Sequence, residues 1–215
     1  MLKYKLKKDC QIPGLAKIYL ERFGYRRHGT FVEIGAYDGD SYSNTCGLAD
    51  LGWRGVYVEP VEHYYEKCRK RHAKNNRVTV LNLAVGDSTG EVTIHVNGPL
   101  STISEVALEN FKRMKWWKGN KTATVPMITL NDLLSVHILP RFDLLVIDVE
   151  GYEWEVLKGF DIARWSPKMV IVELHADNPR YECFREECSE MKAFFTKHGY
   201  NYIYKDLSNS IYVRP

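Results

Sequence analysis

Apolar and polar positions change period several times along the chain, and each change marks an element. Ile12, Leu15, Ala16, Tyr19 and Phe23 recur at helical spacing, with Pro13 suited to a first turn and Gly24 to a stop. Short β-branched runs then alternate with amphipathic stretches. Residues 30–35, 55–60 and 77–85 read as strands, and residues 41–51 and 61–73 between them as helices. Strand, helix, strand in succession predicts a parallel sheet covered on both faces.

The second half continues in the same way. Residues 91–96 alternate like an extra strand, periodicity weakens over 97–117 with residues 98–104 reading as loop, and residues 124–135 start extended and turn helical near Leu130. A buried strand at 142–151 leads into a short helix stopped at Gly159, and 168–175 is the next buried strand. A helix carrying Phe184, Cys188, Met191 and Phe195 on one face stops at Gly199. The last two strands, 200–204 and 210–213, are joined by a polar turn at Asp206 to Asn209, so they must be antiparallel. No repeat or linker interrupts the pattern. The expectation is one α/β domain over residues 29–215, with about seven strands and a helical cap formed by residues 1–28.

Composition narrows the function classes. With 45% hydrophobic and 27% charged residues the chain is neither disordered nor fibrous. Its apolar runs are far too short to span a bilayer, and the N-terminus lacks an apolar h-region, so a cytoplasmic protein is expected. Five scattered cysteines suggest neither a disulfide framework nor a zinc ribbon. Net charge is +3, but residues 1–28 carry +6 and the remainder −3. A solvated helix face is the favoured reading of that basic segment over a nucleic-acid arm.

Candidate chemistry lies at the strand ends, where open α/β sheets bind ligands. Glu33, Gly35, Asp38 and Gly39 follow the first strand, Glu59 ends the second, Asp148 and Glu150 the fourth, and Glu173 and His175 the fifth. Ala36, Tyr37 and Asp38 separate Gly35 from Gly39, so the three-glycine dinucleotide fingerprint is missing. Glu59 stands where a carboxylate grips ribose hydroxyls. Adenosine without a pyrophosphate, among carboxylates that favour a cation, points to S-adenosylmethionine (SAM).

The stretches FVEIGAYDGDSYSNT, GVYVEP, LNLAVGD and DLLVIDVEGYEWEVLKGF, then VIVELH, resemble the FkbM-type family of SAM-dependent methyltransferases. Its hallmark, a strand ending Asp-x-Glu-Gly-x-Glu with Val-Leu-Lys-Gly after it, is matched by Asp148, Glu150, Gly151, Glu153, Val156, Leu157, Lys158 and Gly159. One departure is Leu130-Asn131-Asp132, where many members read Leu-Asp. The resemblance implies a Rossmann-like class I fold with strand order 3-2-1-4-5-7-6, and methyl transfer to a hydroxyl of a sugar or glycosylated metabolite. It also implies site roles. Gly35, Asp38 and Gly39 would wrap the methionine end with Glu33 at the base, and Ser43, early in the next helix, would contact the carboxylate. Glu59 would take the ribose, Ala84 the adenine edge through its backbone, and Asp148 would lie beside the transferring methyl.

A sugar hydroxyl is barely acidic, so a general base or a divalent metal must help it lose its proton. Asp148, Glu150, Glu173 and His175 are the candidates by topology, with Asp148, Glu173 and His175 as a ligand set for Mg²⁺ or Mn²⁺. Trp116 and Trp117, with Lys115 and Lys118, suit stacking on an acceptor. The leading expectation is an O-methyltransferase acting on a carbohydrate or glycan. Two alternatives are an RNA ribose methyltransferase, suggested by the basic segments, and a non-catalytic adenosine-binding module. Acidic strand ends would repel phosphates, so nucleic acid is disfavoured. Retention of Asp148, Glu173 and His175 argues for catalysis.

Overall fold

The computed structural model describes residues 12–115, 117, 119, 121–138, 140–175 and 178–215. In chain order the elements are α1 (Leu15–Phe23), β1 (Thr30–Ile34), α2 (Cys46–Asp50), β2 (Arg54–Val58), α3 (Glu62–Arg71), β3 (Val78–Leu81), β4 (Ala84–Gly86) and β5 (Gly90–Val96). There follow α4 (Glu105–Lys112), β6 (Lys121–Thr129), α5 (Leu130–His137), β7 (Leu144–Ile147), α6 (Glu153–Lys158) and α7 (Ile162–Trp165). β8 (Met169–Glu173), α8 (Arg185–Lys197), β9 (Asn201–Lys205) and β10 (Asn209–Val213) complete the chain.

Seven strands form one sheet in the order β3-β2-β1-β7-β8-β10-β9. Numbered within that sheet alone, this is 3-2-1-4-5-7-6, and β10 runs against both neighbours while the other strands are parallel to one another. Alternate side chains feed two cores, as a period of two along each strand requires. Val32, Ile34, Val56, Val58, Leu145 and Ile147 face the core under α4 to α8. Phe31, Tyr57, Leu144, Val146 and Ile171 face the core under α1, α2 and α3. The result is a Rossmann-like class I methyltransferase fold with helices on both faces.

Helix α1 packs Leu15, Tyr19 and Phe23 into the second core, and the Tyr19 hydroxyl donates to the Asn44 carbonyl. Residues 1–11 of the expected cap lie outside the described residues. Among the described residues, no helix is long and apolar enough to cross a membrane.

Three elements differ from the sequence reading. The strand expected over residues 77–85 is two strands in two sheets: β3 stays in the main sheet, whereas β4 joins β6 and β5 in a smaller one. Asn82 makes the break, its amide donating to the carbonyls of Glu59 and Pro60. The helix expected over 41–51 shrinks to Cys46–Asp50, because Asp38 and Glu33 take the amides of Asp40, Ser41 and Asn44. The stretch of weak periodicity over 97–117 contains α4, capped by Ser104 Oγ accepting from the Ala107 amide and anchored by Ala107, Leu108 and Phe111. Asn131, the departure from the family pattern, accepts from the Asp161 amide and from Trp165 Nε1, so it ties α5 to α7.

Candidate functional site

A two-part cleft opens at the carboxyl ends of β1, β2 and β7. The larger part, about 540 Å³, is walled by Ile34, Leu83, Ala84, Val85 and Ile103 with Glu59 on one side. The smaller, about 360 Å³, is lined by Glu33, Ser41, Tyr42 and Ser43. Gly35, Tyr37, Pro99, Asp148 and Glu150 line both parts, so they form the junction. An apolar chamber joined to a polar one suits a ligand with a planar apolar end and a charged end.

The loop after β1 has its shape because of Gly35. It adopts φ +85°, and a Cβ there would sit 1.7 Å from the Asp148 carbonyl oxygen. Only glycine lets the β1 loop lie against the β7 end. Glu33 is buried beneath this loop, where it accepts from Ser43 Oγ at 2.9 Å, from the Asn44 amide and from Thr45 Oγ1. Burial pushes its carboxyl up to about 7 despite these donors. Ser43 therefore serves the loop as well as lining the cleft, and it lies before α2 rather than in a helix.

Glu59 accepts from the Tyr37 amide and the Val61 amide, each at 2.8 Å. A carboxylate oxygen takes two hydrogen bonds, which leaves one site on each oxygen for a ligand. Burial holds Glu59 up to about 8. Asp38 departs from its expected place: it lines neither part of the cleft among the described residues, and its carboxylate binds Asp40, Ser41 N and Ser41 Oγ. Gly39 is likewise behind the wall, and a Cβ there would strike Cys68 Sγ at 2.6 Å. These two shape the loop; they do not touch the cavity.

The third group gathers at the ends of β7 and β8. Asp148, Glu150 and Glu173 each bring a carboxylate oxygen to within 4.8 Å of the others. Glu150 sits at φ +58°, followed by Gly151 at φ +93°. That turn is clamped by Glu153, whose carboxylate takes the Val149 and Gly151 amides, and by Thr102 Oγ1 donating to the Glu150 carbonyl at 2.8 Å. Burial, then the Glu173 and Asp148 charges, raise Glu150 well above the usual carboxylate range. Burial likewise pushes Glu173 up to about 8, and Asp148 shares a side-chain hydrogen bond with it.

His175 is placed differently from expectation. Its Nε2 lies 3.3 Å from Glu173 Oε1, its ring stacks on Tyr181 at 3.8 Å, and it lines neither part of the cleft among the described residues. Burial holds it below its ordinary value, so it is neutral at pH 7. The convergent oxygen set is thus Asp148, Glu150 and Glu173, and the expected ligand set with His175 is corrected to it. Trp116 and Lys118 lie outside the described residues, and Trp117 packs against the core.

Residues 33–202 match the methyltransferase FkbM domain. The chain belongs to the FkbM methyltransferase family. A segment of 53 residues is 42% identical to the hexuronic acid methyltransferase AglP of Haloferax volcanii, covering 25% of this chain and 22% of that protein. Among solved structures, a fibrillarin/Nop5p complex aligns over 94% of this chain and 80% of that one, with 14% identity and a TM-score of 0.50. An O-methyltransferase from Bacillus cereus in complex with SAH aligns over 97% and 84%, with 14% identity and a TM-score of 0.49. At such identities the likeness is one of fold.

This FkbM methyltransferase also uses residues that the sequence reading passed over. Tyr37 stands at φ +49°, lines both parts of the cleft and packs on Tyr64 at 4.4 Å between ring centres. Pro99, Ser101 and Ile103 come from the stretch read as loop, and they wall the larger chamber. Nothing in their spacing signals this, because β5 and β6 bring them there through the smaller sheet.

The buried carboxyls set a pH dependence of stability. Glu59, Glu153 and Glu173 hold protons up to about 8, whereas the same groups unfolded release theirs near 4.5. The native state therefore binds more protons than the unfolded one in this interval. Stability is full below the unfolded value and is lost as pH rises through the folded one. Between pH 7 and 8.5 the buried His72 and His175, both held below 6.5, are neutral in either state. Without ligand, stability is expected to fall over that range by up to about 1.4 kcal/mol per pH unit for each proton the native state binds in excess, read as a falling Tm by circular dichroism. A Tm that rises there would contradict the buried-acid assignment.

Proposed function

We propose that this protein methylates a hydroxyl of a sugar, glycan or glycosylated metabolite, using SAM. The observation that carries the reading is the carboxylate cluster at the junction of the cleft, which suits a cationic methyl donor and disfavours a phosphate-rich acceptor. The hexuronic acid methyltransferase segment supports the same acceptor class. Two features support the donor: Gly35 lets the β1 loop lie against the Asp148 backbone, and Glu59 retains free acceptor sites at the wall of the apolar chamber. Bound SAM supplies a methyl group already activated on a sulfonium.

In this reading Glu59 holds the ribose hydroxyls, Ala84 and Leu83 wall the adenine, and Gly35 with Ser43 borders the methionine end. Glu33 keeps the loop in place from below. Asp148 takes the acceptor proton at its carboxylate, and Glu173, hydrogen-bonded to it, shares that proton with His175 behind. Glu150 lines the acceptor side of the junction. A second reading of the same group rests on the 4.8 Å convergence of three carboxylates: Asp148, Glu150 and Glu173 are hard oxygen donors fit for Mg²⁺ or Mn²⁺, which would lower the hydroxyl pKa. Against RNA ribose methylation, Lys158 pairs with Glu155 on α6 at 3.1 Å and lines neither part of the cleft.

The deciding experiment is methyl transfer from labelled SAM across uronic acids, oligosaccharides, nucleotide sugars and RNA. Label on RNA alone would discard the sugar assignment. A narrower check concerns the donor. Glu59→Ala is expected to weaken SAM binding at least about tenfold by calorimetry, the loss of two hydrogen bonds to the ribose. Unchanged affinity would remove Glu59 from the ribose site.

A further inference from the structure

The sheet has two chemically opposite ends. Carboxylates crowd its carboxyl end, whereas the amino ends of four neighbouring strands each carry an arginine. Arg77 precedes β3, Arg54 opens β2, Arg27 precedes β1 and Arg141 precedes β7. Register sets Arg54 and Arg77 side by side, since Thr30 pairs with Arg54 and Gly55 N donates to the Arg77 carbonyl, while Arg27 and Arg141 lie on the segments leading into β1 and β7. All four are exposed, and among the described residues none forms an ion pair. The carboxylate at the head of β7, Asp143, is already taken by Arg26 at 3.0 Å and Lys168 at 2.7 Å.

At this end lies a second cavity of about 840 Å³, on the opposite edge of the sheet from the methyl-transfer cleft. Arg54, Arg141, His137 and Ser135 line it, and none of its described lining residues is acidic. Two guanidinium groups facing one cavity without a counter-charge repel each other. The carboxyl end of α5 offers only about half a negative charge to offset two full positive ones. Arg141 is also held at φ +65°, with its amide donating to the Trp165 carbonyl. A bulky residue at positive φ is costly, and such positions cluster where a side chain serves a ligand.

We propose that this cavity binds a phosphate-bearing anion, with Arg54 and Arg141 as its cationic contacts and Ser135 as a hydroxyl donor. Planar guanidinium forks match phosphate oxygens in pairs, and the apolar Val136, Pro140 and Phe142 wall suits the organic part of such a ligand. The site is independent of the acceptor assigned to the methyl-transfer cleft, and it lies outside the catalytic machinery.

The test is calorimetry of the full chain with inorganic pyrophosphate at low salt. The variants are Arg54→Gln, Arg141→Asn, which tolerates positive φ, and Arg69→Gln as a distant control. Each cavity variant is expected to lose at least about tenfold in affinity while Tm and methyl transfer remain as in the wild type. The Arg69→Gln protein should bind as the wild type does, and added salt should weaken binding throughout. Sedimentation with phosphatidylglycerol against phosphatidylcholine vesicles then identifies the source. Vesicle binding that needs both arginines assigns the phosphate to a lipid headgroup, and pyrophosphate binding alone assigns it to a soluble ligand. No pyrophosphate binding at millimolar concentration overturns the proposal. Affinity unchanged in both cavity variants overturns it equally, as does RNA binding that survives both while pyrophosphate fails to bind.

Discussion

Methyl transfer by Asp148→Asn is expected to fall about 10²- to 10⁴-fold in kcat, the range that positioned proton transfer contributes, with SAM affinity little changed. Asp148 lines both parts of the cleft and lies within the carboxylate group beside Glu173, which makes it the base of the proposed reading. Asparagine keeps the shape and the backbone bond from the Asp148 amide to the Ile34 carbonyl, but it cannot accept a proton. Single-turnover assays with saturating SAM separate chemistry from binding. The same assays after exhaustive EDTA treatment distinguish the two readings of the cluster. Full wild-type activity in EDTA assigns the role to a general base, and loss restored by Mn²⁺ or Mg²⁺ assigns it to coordination. Turnover of Asp148→Asn within a few-fold of wild type in every condition would sink both.

The second large effect is purely steric. Gly35→Ala puts a methyl group 1.7 Å from the Asp148 carbonyl oxygen at a φ of +85°. That oxygen belongs to backbone fixed by the β1–β7 ladder, where Ile34 pairs with Ile147, so neither side can give way. A loss of more than about 4 kcal/mol of stability is expected, in the range reserved for backbone strain and overpacking at special positions. Gly90→Ala is the matched control, because nothing lies within 4 Å of the added atom there. Comparable melting temperatures for the two variants, with SAM binding intact in Gly35→Ala, would show that the loop does not depend on this contact.

The strands of the main sheet were legible because parallel strands buried on both faces appear as unbroken apolar runs such as Leu144–Ile147 and Met169–Val172. Their polar termini then marked Asp148, Glu150 and Glu173, which do converge. What spacing did not convey was the direction of each side chain. Asp38 and Gly39 occupy the right loop but turn away from the cavity, because three donors of that same loop hold the Asp38 carboxylate. His175 follows Glu173 by two residues, yet its ring is drawn back against Tyr181. The split at Asn82 and the capping of α4 by Ser104 rest on single side-chain bonds, which periodicity does not register.

One such bond links the two sheets. Thr102, which bridges to His95 on β5, also donates to the carbonyl of Glu150. The turn presenting the carboxylates is therefore supported from the smaller sheet as well as from β7. On the proposed reading, acceptor recognition and proton chemistry would then sit on separable parts. A β5–β6 segment of different length and shape would leave the carboxylate turn in place so long as a hydroxyl still reached that carbonyl.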